Sequence, residues 1–144
     1  MSVSEIRMEQ TQGLGRLAEV WFGGRLLEVC DSVSTAAVRQ LPGVLDAAEF
    51  RYVSQQGFSL VEAIGENPSR RRELEHQRRW AYIGYGQITS IMPVVIDFGV
   101  LQMTDANWTT DESLVGQFVA VPIDRLEIVT RDVPDWPEEL HELP

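Results

Sequence analysis

The chain has 144 residues, of which 44% are hydrophobic and 24% charged, and its formal net charge at pH 7 is −10. This balance is typical of a single folded domain and argues against a disordered chain. No apolar run approaches the roughly 20 residues that cross a bilayer, and the negative charge opposes nonspecific binding to phosphate backbones. We therefore expect neither a membrane protein nor a nucleic-acid-binding protein.

The two ends of the sequence set the expected organisation and location. The first residues are polar and include Glu5 and Glu9, without the apolar segment of a secretory signal, so we expect a cytoplasmic protein. Residues 131–144 are acidic and contain three prolines, which predicts a weakly ordered tail or an extended docked arm. Residues 1–130 form one predicted globular domain.

The basic residues and the single cysteine exclude several enzyme classes. All 12 basic residues are arginine, so a phosphate-binding P-loop, a protein kinase and Schiff-base chemistry cannot operate here, because each needs a lysine. Cys30 is the only cysteine, which excludes an intrachain disulfide or a CxxC site and predicts a packed thiol. With only two histidines as well, we predict no bound zinc or iron and no other cofactor.

The first half of the chain predicts two hairpins, each followed by a short helix. Residues 16–22 and 25–31 are apolar-rich runs separated by two glycines, the signature of a tight β-hairpin. Residues 48–54 and 58–64 predict a second hairpin. Serine and Asn-Pro signals predict helices at 34–41 and 68–80.

The last third of the chain is the most strand-like. Residues 81–92, 94–103 and 117–129 are rich in β-branched and aromatic side chains, and Gly84 and Gly86 suggest bulges or edges within them. The order ββα-ββα-βββ predicts an α+β fold that is predominantly antiparallel, either a small barrel or a curved sheet with two short helices.

Few residues carry the types needed for catalysis. His76 and His141 lie in charged surroundings without a nucleophile at motif spacing, which favours solvated positions. Asp97 interrupts an apolar strand, so it must face solvent, pair with an arginine such as Arg125, or act as a general acid or metal ligand. The alternating oxygens of 105–111 superficially resemble a calcium loop, but glycine and glutamate are missing where such a loop needs them.

Five of the 12 arginines fall on the predicted helix 68–80. The simpler interpretation is pairing with nearby glutamates on a solvated face. The alternative is a weak anion-binding site, because arginine forks bind carboxylates and phosphates bidentately. The candidate residues for that site are Arg71, Arg72, Arg78 and Arg79.

Two tryptophans, Trp108 and Trp136, lie in polar, acidic segments, where aromatic side chains resemble interface anchors. We therefore expect a noncatalytic acidic interaction protein, an adaptor or an inhibitor of the immunity type, that binds a basic partner protein. One alternative is a small enzyme or ligand-binding barrel centred on Asp97, and another is a structural subunit of a homo-oligomer. The predicted partner surface consists of Trp108, Asp111, Glu112, Trp136, Glu138 and Glu139.

Overall fold

The computed structural model describes residues 5–33, 41–45, 48–105 and 109–130. These residues form ten β-strands in one mixed sheet, one helix, α1 (Leu60–Ala63), and a 3-10 turn at Glu112–Leu114. The strands are β1 (Ile6–Thr11), β2 (Leu17–Phe22), β3 (Arg25–Ser32), β4 (Gly43–Leu45), β5 (Ala48–Ser54), β6 (Glu73–Arg78), β7 (Ala81–Ile91), β8 (Val94–Asp97), β9 (Gln102–Thr104) and β10 (Phe118–Thr130).

Alternating burial explains why these segments are strands. Along β7, every second residue from Tyr82 to Ile88 is buried, and the residues between them are half-buried. A period of two places one set of side chains in the core and the other on the outer face. The core consists of the inward-facing side chains of nearly every strand. Its fully buried residues include Met8, Leu27, Leu74, Phe98 and Ile128.

The long strand β10 connects the two halves of the sheet. Its first half, 118–123, pairs antiparallel with β7, and its second half pairs antiparallel with β5 and parallel with β3. The spatial order is β4-β1-β2-β3-β10-β7-β8-β9, with β6 added beside β7. Among the described strands, the backbone pairing of β1–β4 is therefore connected to that of β6–β9 only through β10.

The parallel pairing of β3 with β10 makes the sheet mixed, so the predicted antiparallel α+β fold with two short helices is wrong. Most neighbouring strands do pair antiparallel, and the predicted hairpin of 16–22 and 25–31 is confirmed as β2 and β3. The predicted helix at 34–41 lies almost entirely outside the described residues, as does the tail 131–144.

The predicted helix at 68–80 is wrong, because residues 73–78 form β6 against β7. In this segment only Leu74 is buried and apolar, so a helix would have no apolar stripe to pack on a core. The Asn-Pro signal marks a turn instead of a helix start. Asn67, only 3% exposed, belongs to this turn. Its side-chain Nδ2 donates to the backbone carbonyls of Arg71 and Val119, and its Oδ1 accepts from the backbone amide of Arg71.

The second predicted hairpin is correct only in its first strand. Residues 48–54 form β5, but β5 pairs with β10, and residues 58–64 contain α1 in place of a strand. Leu60 and Ala63 are the buried residues of α1, and their spacing of three fits one turn of a helix and not the alternation of a strand. Within the described residues α1 is the longest helix, and none there could cross a membrane.

Gly84 and Gly86 do not mark an edge, contrary to the prediction. The strand β7 is central, with β6, β8 and β10 as partners, and its irregularity lies at 88–90. The two glycines make room for the segment that carries Phe98, because a Cβ atom at either position would lie within 3.0 Å of that segment.

Candidate interaction site

The outer face of the β2–β3 hairpin exposes two large apolar side chains. Trp21 and Leu26 lie directly opposite each other, and each is 42% exposed. Their neighbours Val20 and Leu27 are fully buried, so alternation along each strand directs Trp21 and Leu26 outward. An exposed aromatic residue next to an exposed aliphatic one is a feature of protein interfaces.

The glycine turn fixes this arrangement. Gly23 and Gly24 have φ values of 60° and 79°, the positive φ at both loop positions that a type I′ turn requires. A two-residue loop of this kind sets the register so that Phe22 pairs with Arg25. The next pair along the hairpin is Trp21 with Leu26, and the turn therefore places both on one face.

Two glutamates continue the same face one row further from the turn. Glu19 lies opposite Glu28, and like charges in this position destabilise a sheet. Glu28 contacts His76, at 2.9 Å between Oε1 and Nε2, while Glu19 has no ion-pair partner among the described residues. We call Glu19, Trp21, Leu26 and Glu28 the acidic–aromatic face.

An open cleft of about 370 Å³ separates this face from the β6–β7 hairpin. It is lined by Glu19, Arg25, Leu26, Glu28, His76 and Tyr82. The Tyr82 hydroxyl donates to the Glu28 carbonyl and accepts from the Glu28 amide, both at 2.9 Å, and burial raises the pKa of Tyr82 to about 12. This phenol therefore stays protonated and connects β7 to β3 at the base of the cleft.

His76 bridges the two sides of the cleft. Its Nε2 lies 2.9 Å from the Glu28 carboxylate and 2.9 Å from the Arg79 carbonyl. Both neighbours are acceptors, so we assign the proton to Nε2. The cleft thus combines a histidine–carboxylate pair, a second carboxylate and an arginine, Arg25, that donates to the Leu74 carbonyl. Within this set, the Glu19 carboxylate is the group that can accept a cationic ligand, and Leu26 forms an apolar wall of the same cleft.

The sequence placed His76 on a charged helix and missed its pairing with Glu28. The two residues are 48 positions apart and lie on different parts of the sheet. No local spacing signals such a contact. The exposed pair Trp21 and Leu26 was accessible to sequence reasoning, because the glycine turn and the alternation together indicate which residues of the hairpin face outward.

Of the predicted partner residues, the structure describes only Asp111 and Glu112. Trp108, Trp136, Glu138 and Glu139 lie outside the described residues. Asp111 starts the 3-10 turn, accepting from the amide and hydroxyl of Ser113, and these hydrogen bonds lower its pKa.

Asp111 and Glu112 are distant from the acidic–aromatic face. Their turn is joined to β7 by the Gly116 amide, which donates to the Ile88 carbonyl. The cleft lies at the other end of β7, at Tyr82, and six strand residues span about 20 Å. A small partner interface could therefore not include both the 3-10 turn and the acidic–aromatic face.

The predicted anion-binding arginines divide between the two ends of β6. Before the strand, Arg71 pairs with Glu73 and Glu75, and Arg72 contacts Gln87 and Asp97. At the other end, Arg78, the last residue of β6, and Arg79, which follows it, line a separate cleft with Trp80. The four residues therefore do not form one site.

Asp97 ends β8 as a half-buried residue. It accepts from the Gly99 amide at 2.8 Å and lies 3.7 Å from Arg72. Its cationic neighbour is thus Arg72, while Arg125 pairs with Glu127. These contacts are those of a turn-capping carboxylate at the end of a strand.

A buried tyrosine–carboxylate contact was also missed by the sequence. The Tyr52 hydroxyl donates to Asp105, which is 5% exposed, and burial together with this carboxylate raises the pKa of Tyr52.

Among the described residues, no group of three or more histidine, cysteine, aspartate or glutamate side chains could hold a metal ion. Cys30 is buried, as predicted, and burial raises the pKa of its thiol.

Comparison with protein-family models, curated proteins and solved structures finds no match for this chain.

Proposed function

We propose that this protein is a noncatalytic interaction protein that binds a basic partner protein through the acidic–aromatic face. The observation that carries the proposal is the exposure of Trp21 and Leu26, both 42% exposed, directly beside the opposed glutamates Glu19 and Glu28. Glu28 contacts His76, whereas Glu19 has no ion-pair partner among the described residues.

Charge and apolar area have separate roles in the proposed contact. The net charge of −10 speeds the encounter with a basic surface, because complementary long-range charge raises association rates. The short-range energy comes from burying Trp21 and Leu26, since aromatic anchors near the centre of an interface dominate its affinity. An arginine or lysine of the partner placed between Trp21 and Glu19 would gain both a cation–π contact and an ion pair.

The proposal is tested by capturing partners from native lysate with the wild-type chain and with Trp21→Ala and Leu26→Ala variants. A captured basic protein is then purified and its binding measured directly. We expect saturable binding that each variant weakens by on the order of 2 kcal/mol, mainly through faster dissociation. Val61→Ala is the matched control, because Val61 is a 69% exposed apolar residue elsewhere.

The contribution of charge to the association rate is tested with a matched pair of variants. Glu19→Gln should slow association with the purified partner and flatten its salt dependence, whereas Glu112→Gln, in the 3-10 turn, should not. Trp108→Ala and Trp136→Ala test the surface expected from the sequence. If those variants or Glu112→Gln abolish binding while the β2–β3 variants bind like wild type, the acidic–aromatic face is not the interface.

A further inference from the structure

The tip of the β6–β7 hairpin has an unfavourable backbone conformation. Arg78 pairs with Ala81, so the loop consists of only Arg79 and Trp80. Arg79 has a φ of 49°, which lies in the left-handed region where glycine, asparagine and aspartate are the usual residues. Residues kept in such conformations are concentrated at functional sites, so the side chain of Arg79 is a candidate for a role that glycine could not fill.

A second open cleft, of about 520 Å³, lies at this tip. Its lining residues are Arg78, Arg79, Trp80, Ala81 and Asp124, and its volume falls in the range of roughly 300–1,000 Å³ that is common for small-molecule sites. The guanidinium carbon of Arg79 lies 4.9 Å from the centre of the Trp80 ring. This is a cation–π distance, and the contact holds the guanidinium at the cleft.

The charges of Arg78 and Arg79 are not neutralised by an ion pair with the described residues. Arg71, at the other end of β6, pairs with two glutamates. Asp124 lines the same cleft but forms no ion pair with either arginine. Two arginines and one aspartate therefore line the cleft, which leaves a local excess of positive charge in an acidic protein.

We propose that Arg78 and Arg79 bind the phosphate group of a small phosphate monoester, with Trp80 as the apolar wall of the cleft. Guanidinium forks match phosphate oxygens in pairs of hydrogen bonds. A small ligand fits better than a polyanion, because exposed charges interact strongly only within about 8–10 Å. A single phosphate meets the two arginines, whereas a nucleic acid would meet the net charge of −10. This cleft shares no lining residue with the cleft beside the acidic–aromatic face. The Arg79 carbonyl lies 2.9 Å from His76 Nε2 of that other cleft, but phosphate binding by the arginine side chains does not depend on the function of the acidic–aromatic face.

The experiment is isothermal titration calorimetry of the full chain with inorganic phosphate, adenosine monophosphate and adenosine. We expect both phosphate compounds, or adenosine monophosphate alone, to bind saturably, and adenosine to bind at least tenfold more weakly. Equal affinity for phosphate and adenosine monophosphate identifies the phosphate group as sufficient. Binding of adenosine monophosphate alone identifies a mononucleotide as the ligand.

Variants separate a binding role from a structural one. Arg78→Gln and Arg79→Gly should each weaken phosphate binding at least tenfold, and Arg79→Gly should not lower Tm because glycine accepts the left-handed φ. Arg70→Gly is the matched control: Arg70 also has a positive φ, 56°, and lies over an aromatic ring, Phe118, but outside the cleft. Should Arg79→Gly fail to fold, Arg78→Gln tests the site alone, since Arg78 lies within β6.

Three results would overturn the proposal. They are an absence of saturable binding for every probe, equal affinity for adenosine and adenosine monophosphate, and an equal loss of binding in Arg70→Gly and in the cleft variants.

Discussion

The ring of Phe98 occupies the space that a side chain at position 84 would need. A Cβ atom on Gly84 would lie 2.5 Å from Cε1 of Phe98, which is itself fully buried. The two residues come from neighbouring parts of the sheet, Gly84 within β7 and Phe98 directly after β8. The absence of a side chain on β7 is therefore what allows this aromatic residue to enter the core.

Gly84→Ala should destabilise the protein by about 1–3 kcal/mol, because overpacking forces a well-packed core to shift. Combining it with Phe98→Leu should cost less than the sum of the two single changes, since the smaller side chain vacates the contested space. Gly86→Ala provides the contrast: its Cβ would meet the backbone carbonyl of Asp97 at 2.6 Å, and Phe98→Leu should not rescue it. Chemical denaturation of the three single and two double variants measures these couplings, and simple additivity at Gly84 would contradict the packing argument.

Asp31 is a fully buried residue of β3, and its carboxylate connects β1 with the residue that follows β3. It accepts from the Thr11 hydroxyl at 2.6 Å and from the Val33 amide at 3.0 Å. Asp31→Ala should lower the free energy of unfolding by about 2–3 kcal/mol, because it leaves buried donors unsatisfied. Thr11→Val removes only one of these hydrogen bonds and should cost less. Urea denaturation compares the two variants, and an Asp31→Ala protein as stable as wild type would exclude this role.

Glu19→Gln should raise the free energy of unfolding by roughly 0.5 kcal/mol, since it removes one of two like charges that face each other across β2 and β3. The same change is expected to weaken binding of a basic partner. Low-salt denaturation is the appropriate measurement, because added salt screens the repulsion. Glu112→Gln, which lies in the 3-10 turn, is the control for a general effect of net charge, and an equal gain from both variants would contradict a local repulsion.

Stability should fall as the pH rises above 10. Burial raises the pKa of Tyr82 from 10.0 to about 12, so between those values the unfolded chain loses this phenol proton while the folded protein keeps it. The folded state then binds more protons than the unfolded state, and the free energy of unfolding decreases with pH. The contribution is fully present below pH 10 and is lost as pH rises through about 12.

Tyr82→Phe tests this dependence. The variant should be less stable than wild type near neutral pH by about 1 kcal/mol, because the Glu28 backbone loses its hydrogen-bond partner. Its stability should then decrease less steeply with pH than that of wild type. Urea midpoints measured across the alkaline range compare the slopes, and parallel curves would show that the Tyr82 phenol does not cause the loss. Burial also raises the pKa of Tyr52, so Tyr52 is expected to contribute to the pH dependence of stability that the Tyr82→Phe variant retains.

Local signals in the sequence determined the first hairpin and most of the strand content. The glycine pair at 23–24 predicts a tight turn, and the β-branched and aromatic content of 81–92 and 117–129 predicts the strands that form β7 and β10. The composition also excluded lysine-dependent chemistry. These features depend on neighbouring residues, so they can be read without knowledge of the fold.

Tertiary contacts decided the rest, because they offset local preferences or join distant residues. Residues 73–78 are good helix formers with one buried apolar residue, and they become a strand because β7 offers them backbone partners. The parallel pairing of β3 with β10 joins segments almost 100 positions apart. The contact of Glu28 with His76, and the cleft beside Trp21 and Leu26, form only when β3 and β6 are both part of the assembled sheet. Packing and strand pairing across the sheet, and not local sequence preference, stabilise these features.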